Sequence, residues 1–296
     1  MIISQICGGL GNQMFQYALG RSLSLQHGVP LLLDLSWFES MEGCTPRRFL
    51  LDGFPALANK TVWRECSPAE REGLCSVTFW QRLCAKIARR PAQNPRHCRE
   101  EQTTFKADMG LIPPPLYLDG YWQDERYFIA HREHIRQDFI FPVFSEEAQF
   151  LANCIEKQSE TISVHIRRGD YVADPTINAV HGLCSSAYYA AAIARIKERA
   201  TSPTLYLFSD DPAWVRANFD TQGLPATIID LHDKNSEFED MHLMRLCKHH
   251  IIANSSFSWW GAWLSAEQGV TVAPQQWFKN PSMNTINPCP PRWARI

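Results

Sequence analysis

The sequence has no segment typical of a leader peptide or a membrane anchor. It begins MIISQICGGLGNQ, without the basic stretch and long apolar run that a secretory signal contains. No other stretch reaches the roughly 18 apolar residues that a membrane helix needs. We therefore expect a cytoplasmic protein that does not cross a membrane, and a peripheral association with the inner membrane stays open.

A strong net charge is also missing. The chain has 29 Lys and Arg residues against 31 Asp and Glu residues, a formal charge of −2. Nucleic acid is therefore not an expected partner, and any anion site must be local. The ten cysteines form no CxxC pair and no array with histidine. This pattern disfavours a structural zinc site and favours reduced thiols.

The dinucleotide fingerprint is absent from the glycine-rich segment GGLGNQ, residues 8–13. A GxGxxG pattern needs a third glycine where Met14 stands, so a nicotinamide cofactor is disfavoured. The segment joins a predicted strand over 2–7 to a predicted helix over 12–27. Glycine at such a turn lets the backbone approach a ligand, and the helix start offers N–H groups. A tight turn without binding is the alternative. The predicted ligand-binding residues here are Gly9, Gly11 and Gln13.

The second half of the sequence does contain a regular alternation of strand and helix patterns. Such alternation predicts an α/β protein with a mostly parallel sheet covered by helices. The predicted strands are 161–166, 204–208, 226–230, 250–253 and 270–273, and the predicted helices are 185–200, 212–219, 237–248 and 257–267. We predict two domains, 1–158 and 159–296. If they face one another, a ligand would lie between them, above the carboxyl ends of the strands.

Basic residues stand at the carboxyl end of the strand predicted over 161–166, in the segment HIRRGDY. His165 and Arg167 fall on one face by the two-residue period, and Arg168 leaves the strand where such folds bind ligands. One guanidinium group can bind two phosphate oxygens at once, and its positive charge offsets the negative charge of a departing pyrophosphate. The segment therefore predicts a leaving-group site without a metal. Asp170 either belongs to this site or braces the turn against an arginine.

Two further motifs follow later strands. Asp210 and Asp211 could hold a divalent cation on a sugar diphosphate, or they could cap a helix and pair with the arginines. We favour the second role, because the arginines already supply positive charge. Ser255 and Ser256 stand at a helix start after the strand over 250–253 and predict a second anion site. The tryptophans that follow are expected mainly in the core.

Four segments together resemble the bacterial and animal α-1,2-fucosyltransferase family: GGLGNQMFQYALG, HIRRGDY, FSDD and NSSFSWWGAWLS. The likeness spans nearly the whole chain in the expected order, and the combination is far more specific than any one segment. It implies two Rossmann-like domains of the GT-B type that face across a cleft, with GDP-L-fucose held mainly by the second domain. It also implies no metal, no other cofactor, and inversion at the anomeric carbon of fucose.

The resemblance implies roles for individual residues. Arg167 and Arg168 are similar to the pair that engages the diphosphate, where Arg168 stabilises the leaving group. Asn12 is similar to the asparagine that reaches fucose and the bridging phosphate oxygen. The other implied donor contacts are His165 and Asp240 at guanine, and Ser255 and Ser256 at phosphate. A carboxylate suits guanine, because it accepts from both the N1–H and the amino group.

The implied activity is transfer of L-fucose from GDP-β-L-fucose to the 2-hydroxyl of a terminal galactose, in an oligosaccharide or a glycolipid. A galactose hydroxyl attacks the fucose carbon as GDP leaves from the opposite face. The hydroxyl proton could pass to Asp170, Asp174 or His181, a choice that the family pattern leaves open.

The acceptor is expected to contact the irregular region over 36–126. Aromatic and acidic side chains there could stack on a sugar or bind its hydroxyls. The candidates are Trp37, Phe38, Trp122 and Asp124. Two alternatives stay open: a fucosyltransferase for a protein or a chitin-like oligosaccharide, and an inactive module that binds a GDP-sugar or a glycan.

Overall fold

Two α/β units make up the chain, Met1–Ile140 and Phe141–Ile296. The computed structural model describes residues 1–40, 46–77, 86, 94–100, 104–231, 236–266, 269–280, 283 and 287–296, without the side chains of residues 170, 173 and 177. In these parts of the chain, no helix is both long enough and apolar enough to span a membrane.

The described residues of the first unit form a parallel five-stranded sheet. Its strands are β1 (Ile2–Gln5), β2 (Leu31–Asp34), β3 (Arg64–Glu65), β4 (His97–Arg99) and β5 (Leu116–Asp119). Its helices are α1 (Leu10–His27), α2 (Pro55–Ala58), α3 (Pro68–Cys75) and α4 (Arg132–Asp138). The strand order β3-β2-β1-β5-β4 puts the topological switch point, where ligands usually bind, between the carboxyl ends of β1 and β5.

The described residues of the second unit form a parallel six-stranded sheet. Its strands are β6 (Thr161–Ile166), β7 (Thr204–Ser209), β8 (Ala226–Ile229), β9 (His249–Ile251), β10 (Thr271–Ala273) and β11 (Ala294–Arg295). Its helices are α5 (Glu146–Glu156), α6 (Gly169–Ala173), α7 (Pro175–His181), α8 (Ser186–Lys197), α9 (Pro212–Asn218), α10 (Ser236–Leu246) and α11 (Ser256–Trp263). The order β11-β10-β9-β6-β7-β8 puts the switch point between β6 and β9.

Alternating residues of the second sheet face two different cores, as expected for a parallel sheet that is buried on both sides. Val164 of β6 belongs to a cluster with Ile193 of α8. Phe208 of β7 belongs to a second cluster, with Ala152 of α5 and Leu243 of α10. The chain therefore forms the predicted α/β fold, with a parallel sheet in each unit.

Helix α5 places the division between the units earlier than the sequence predicted. Its apolar residues Ala148, Ala152 and Ile155 are buried in the same core as β7. Residues 141–158, which the prediction gave to the first domain, therefore belong to the second unit. The boundary predicted at 158/159 is corrected to 140/141, because the apolar face of α5 packs on the second sheet.

The elements predicted for the second half have the right type and order, and β6 has the predicted bounds. Helix α1 differs at its start, because it begins at Leu10 rather than Asn12. The extended residue Gly9 precedes it, and the carbonyl oxygen of Gly9 accepts from the N–H of Asn12 at 3.0 Å and of Gln13 at 3.1 Å. Both side chains therefore project from the first turns of a helix that ends, as predicted, at His27, with Gly28 as its C-cap.

Candidate active site

The switch point of the second sheet brings two predicted motifs together. The segment HIRRGDY leaves β6, and the segment NSSF follows the neighbouring strand β9. The Tyr171 hydroxyl donates a hydrogen bond to the Asn254 carbonyl oxygen at 3.2 Å. The ring of His165, at the end of β6, lies 5.7 Å from the ring of Phe257 in α11. Residues far apart in sequence thus form one site at the carboxyl edge of this sheet.

The two arginines of this site are paired with the two aspartates that follow β7. Arg167 Nη1 lies 2.9 Å from Asp210 Oδ2, and Arg168 Nε lies 3.3 Å from Asp211 Oδ2. Asp210 Oδ1 also accepts from the Arg168 backbone N–H at 2.8 Å. Asp211 Oδ1 caps α9 by accepting from the Trp214 N–H at 3.0 Å. The prediction that the acidic pair caps a helix and pairs with the arginines is confirmed.

Aromatic rings and a glycine also hold the arginines in place. The guanidinium carbon of Arg168 lies 3.7 Å from the centre of the Trp214 ring, and that of Arg167 lies 5.5 Å from the Tyr171 ring. A Cβ on Gly169 would lie 2.5 Å from Asp210 Oδ2, so glycine is needed for this close approach. The arginine side chains keep 22% and 18% of their area exposed. They are therefore positioned in advance and still accessible to an anion.

His165 is an uncharged residue with one unsatisfied ring nitrogen. It is 5% exposed, and its Nδ1 has no hydrogen-bond partner among the described residues. Burial, and next the positive charge of Arg167, lower the pKa of His165 to about 3. At neutral pH its ring is therefore neutral, and the buried nitrogen can bond to a polar ligand atom.

Asp240 presents a similar unsatisfied atom on α10. Its Oδ1 is buried and, within the described parts of the chain, has no hydrogen-bond partner. Burial raises the pKa of Asp240 to about 7, and the nearby charges of Glu239, Glu237 and Asp230 add to the shift. A ligand that donates hydrogen bonds to this carboxylate would satisfy the oxygen and favour its ionised form.

The predicted serines stand at the start of α11. Ser255 occupies the N-cap position, yet its side chain makes no capping hydrogen bond in this part of the described chain. Asn254 has a structural role, because its Nδ2 donates to the carbonyl oxygens of His181 and Gly182. The tryptophans that follow are fully buried, as predicted: Trp259, Trp260 and Trp263. Ser255 and Ser256, the first helical residue, thus both stand at the start of α11, after the strand that adjoins β6.

Asn12 lies at the switch point of the first sheet. Its Oδ1 accepts a hydrogen bond of 2.8 Å from Nε2 of Gln123, which follows β5. The glycine that this turn requires is Gly8, because its φ is 75° and a Cβ there would lie 3.0 Å from Asn12 Nδ2. Of the two glycines that were predicted, Gly9 has open space at its Cβ position and Gly11 is buried in the first turn of α1.

Gln13 was predicted to bind the sugar nucleotide, but the structure gives it a structural role. It is fully buried. Its Nε2 donates to the carbonyl oxygens of Gly8 at 2.9 Å and Arg48 at 2.8 Å, and its Oε1 accepts from the Leu50 N–H at 2.9 Å. The amide therefore ties the segment around residue 48 to the glycine turn and has no surface left for a ligand.

The residues predicted as candidate bases have different surroundings. The side chain of Asp170 lies outside the described residues. Asp174 Oδ1 accepts from the N–H of Thr176 at 2.8 Å, at the start of α7. His181 stacks on Tyr171 with ring centres 4.9 Å apart. The last contact places His181 next to a ring that also touches Arg167.

The acceptor candidates of the first unit are not all available to a sugar. Trp122 is fully buried, so the prediction that it stacks on the acceptor is wrong. Asp124 holds Arg126 through both carboxylate oxygens, with Nε–Oδ1 at 2.9 Å and Nη2–Oδ2 at 2.5 Å. Trp37 and Phe38 are partly exposed and contact each other edge to face at 5.2 Å.

Two contributors were missed by sequence reasoning: Gln123, in the loop after β5, and Trp214, in the helix after β7. Each follows the carboxyl end of a strand at or next to a switch point, but the rule that identified the arginines does not say which residue after a strand will contact the site. Among the residues that the structure describes, no group of three or more His, Cys, Asp or Glu side chains is placed to hold a metal ion.

Comparison with known proteins places this site in a family. Residues 98–296 match the sequence profile of glycosyl transferase family 11. The chain is 34% identical over 297 residues to an α-1,2-colitosyltransferase of Escherichia coli, covering 100% of this chain and 99% of the relative. It is 32% identical over 304 residues to the O-antigen biosynthesis glycosyltransferase WbnK of Escherichia coli, covering 93% and 94%.

More distant relatives extend the comparison. Human galactoside α-(1,2)-fucosyltransferase 1 is 25% identical over 273 residues, covering 90% of this chain and 66% of the relative. The crystal structure of NodZ α-1,6-fucosyltransferase soaked with GDP-fucose matches with a TM-score of 0.50 at 17% identity, over 89% of this chain and 92% of that one. This last likeness supports the GT-B fold alone. By its profile match and its full-length relatives, the chain belongs to glycosyl transferase family 11.

Proposed function

We propose that this family 11 enzyme transfers L-fucose from GDP-β-L-fucose to the 2-hydroxyl of a terminal galactose, with inversion and without a metal. The observation that carries the proposal is the arginine pair at the β6/β9 switch point. Asp210 and Asp211 hold Arg167 and Arg168 through ion pairs of 2.9 and 3.3 Å. Two fixed and partly exposed guanidinium groups match the oxygens of a diphosphate and supply the charge that a metal would otherwise bring.

Recognition of guanine is proposed for the two unsatisfied buried atoms of the second unit. The Asp240 carboxylate accepts from the N1–H and the amino group of guanine, which adenine and uracil do not present together. The neutral His165 ring bonds to a further polar atom of the nucleotide through Nδ1. Both atoms are buried and lack partners among the described residues, and unsatisfied polar atoms of this kind are rare in folded proteins.

The proposed reaction is a single displacement. The galactose O2 forms a bond to C1 of fucose, while the bond from C1 to the β-phosphate oxygen breaks and its electron pair stays on GDP. The hydroxyl proton passes to a base or to water. Arg168 stabilises the charge that develops on the diphosphate, and Ser255 and Ser256 donate to its oxygens. Asn12 donates to the bridging oxygen or to fucose.

The choice of acceptor rests on the relatives. The human relative is named for galactoside α-(1,2)-fucosyl transfer, and the first bacterial relative is also named for an α-1,2 linkage. The second bacterial relative acts in O-antigen biosynthesis. These names support a galactose 2-hydroxyl in a bacterial surface glycan, carried on an oligosaccharide or a glycolipid and modified in the cytoplasm.

A second donor is supported by one observation. The relative with 34% identity over the full chain is a colitosyltransferase. Colitose is fucose without its 3-hydroxyl, so the two sugars differ by a single polar group. A site built to bond that hydroxyl would reject colitose strongly, whereas a site with an apolar wall there would discriminate weakly.

The test is release of GDP from GDP-fucose and from GDP-colitose, each with and without lactose, in buffer containing EDTA. We expect lactose-dependent release with GDP-fucose that survives the chelator, and a product with an α-1,2 linkage by NMR. Faster turnover of GDP-colitose would move the donor assignment to colitose. GDP binding without lactose-dependent release from either donor would contradict the galactoside proposal and favour another acceptor or an inactive binding module.

A further inference from the structure

The first unit contains a bridge across its switch point that sequence reasoning did not anticipate. Asn12 projects from the first turn of α1 after β1, and Gln123 follows β5, the neighbouring strand. Gln123 Nε2 donates to Asn12 Oδ1 at 2.8 Å. This contact joins the two loops that flank the position where α/β sheets bind ligands.

The direction of this hydrogen bond fixes the chemistry that Asn12 can offer. A primary amide has an acceptor end and a donor end. Because Gln123 takes the oxygen, the Asn12 amide is oriented with Nδ2 on the opposite side, toward the Gly8 backbone. A donor is what a negatively charged leaving oxygen requires, whereas a carbonyl oxygen in the same place would repel it.

Gln123 is itself held by the loop around it. The half-buried carboxylate of Glu100 accepts from the N–H of Tyr121 at 2.6 Å and of Trp122 at 3.1 Å. Trp122 is fully buried with a left-handed φ of 54°, and its carbonyl oxygen accepts from the Asp124 N–H at 2.8 Å. A left-handed backbone at a tryptophan is costly and is kept where the surroundings impose it, often at functional sites.

We propose that Gln123 is a positioning residue, which orients the Asn12 amide so that it donates a hydrogen bond to the departing diphosphate or to the sugar. This inference rests on the proposed transfer from a GDP-sugar. It adds a residue that acts through Asn12 rather than on the substrate. A carboxylate at position 123 would accept only, so Asn12 would have to turn its nitrogen inward and present its oxygen to the site.

The first experiment is a double-mutant cycle of Gln123→Glu and Asn12→Ala, measured on kcat and on the KM for the donor. Gln123→Glu should lower kcat by about a hundredfold, as loss of one donor to a developing oxyanion does. Adding Gln123→Glu to Asn12→Ala should lower kcat by less than about twofold further, because the amide that Gln123 orients is already gone. Independent, additive losses with a lowered Tm would overturn the inference in favour of a purely structural role.

A matched control exists in the second unit. Gln149 Nε2 donates to Asn153 Oδ1 at 3.0 Å on the exposed face of α5, which is the same bond between the same residue types. Gln149→Glu should leave kcat within about twofold of the wild-type value. An equal loss in this variant would show that the effect at position 123 comes from introducing a carboxylate in general.

The second experiment separates this inference from the proposed function. In protein labelled with ¹⁵N-asparagine, the side-chain signal of Asn12 is assigned from its absence in Asn12→Ala. Gln123→Glu should shift that signal with no substrate present, because the bond on the amide changes. If the wild type transfers no sugar but the signal shifts, the proposed function fails and the positioning contact stands. An unmoved signal overturns the inference whatever the substrate is.

Discussion

The carboxyl edges of the two sheets carry different kinds of side chain at corresponding places. At the β6/β9 edge of the second unit, Arg167 and Arg168 are paired with two aspartates. At the β1/β5 edge of the first unit, the corresponding loops meet through two neutral amides, Asn12 and Gln123. The same fold thus presents ionised groups at one switch point and uncharged groups at the other.

This difference follows from how each kind of group is stabilised. Guanidinium groups need counter-charges, and Asp210 and Asp211 supply them while leaving the arginines partly exposed. Amides need only complementary hydrogen bonds, so the first unit can bury Gln13 completely and still satisfy it. The second unit therefore holds fixed positive charge at its switch point, while the first unit holds neutral, hydrogen-bonded amides at its own.

The largest expected effect is on the charged edge. Arg168→Ala should lower kcat about 10²–10³-fold, equivalent to about 2.7–4 kcal/mol of transition-state stabilisation. Its partner Asp211 is 39% exposed and can be hydrated, so the free energy of unfolding should change by less than about 1 kcal/mol. Steady-state kinetics with GDP-fucose and urea unfolding would measure the two effects.

Arg195→Ala is the matched control for Arg168→Ala, because Arg195 of α8 forms an exposed ion pair with Glu198 at the end of that helix. Its kcat should remain at the wild-type value. Near-normal turnover in Arg168→Ala would remove the leaving-group role, and a large loss of stability there would indicate that the ion pair is mainly structural.

At the edge of the first sheet, we expect a substitution to lower stability rather than turnover. Gln13→Ala leaves the Leu50 N–H and the carbonyl oxygens of Gly8 and Arg48 without their partner. A buried polar group that is left without a hydrogen-bond partner lowers the free energy of unfolding by about 1–3 kcal/mol. Urea unfolding should show this loss, while kcat per folded molecule stays close to wild type.

Gln26→Ala serves as the control for Gln13→Ala, since the Gln26 amide bonds to the Gly110 carbonyl oxygen at the surface. Its unfolding free energy should change by less than about 0.5 kcal/mol. A selective loss of donor affinity in Gln13→Ala, without a loss of stability, would restore Gln13 as a ligand-binding residue.

Sequence reasoning succeeded where one rule, that ligands meet the carboxyl ends of parallel strands, was enough. The type and order of the strands and the role of Asp210 and Asp211 followed from strand patterns and local charge. The fate of Gln13 did not, because its partners Arg48 and Leu50 lie far along the chain in a region without periodicity. Trp122 was misjudged for the same reason, since an aromatic residue in an irregular segment gives no sign of its burial.

The domain boundary shows a different limit. The sheet on which an amphipathic helix such as α5 packs is a long-range choice that the sequence pattern leaves open. Ala148 and Ile155 share a buried cluster with Tyr206 of β7, and this long-range packing is what assigns α5 to the second unit. Gln123 was missed because a glutamine in a loop is unremarkable until its partner Asn12 is known.

The smallest expected effect is on the pH dependence of GDP affinity. The first-unit amides do not titrate, whereas burial, and next the neighbouring acidic residues, raise the pKa of Asp240 to about 7. If the ionised carboxylate binds guanine, protonation below that pKa should weaken GDP about tenfold between pH 8 and pH 6, measured by calorimetry. GDP phosphate also titrates near pH 6, so the profile of Asp240→Asn, which lacks the carboxylate, is the reference.

The pH dependence of folding stability tests the protonation of Asp240 independently. In the unfolded chain Asp240 ionises near its ordinary value of 3.8, while the folded, ligand-free protein keeps the proton up to about pH 7. The unfolded state therefore binds fewer protons between these values, and the contribution of Asp240 to stability falls as the pH rises through that window. Asp240→Asn should accordingly raise the Tm at pH 8 although it weakens GDP binding. A lower Tm combined with an unchanged pH profile of GDP affinity would remove Asp240 from the guanine site and leave the arginines as the donor contacts of the second unit.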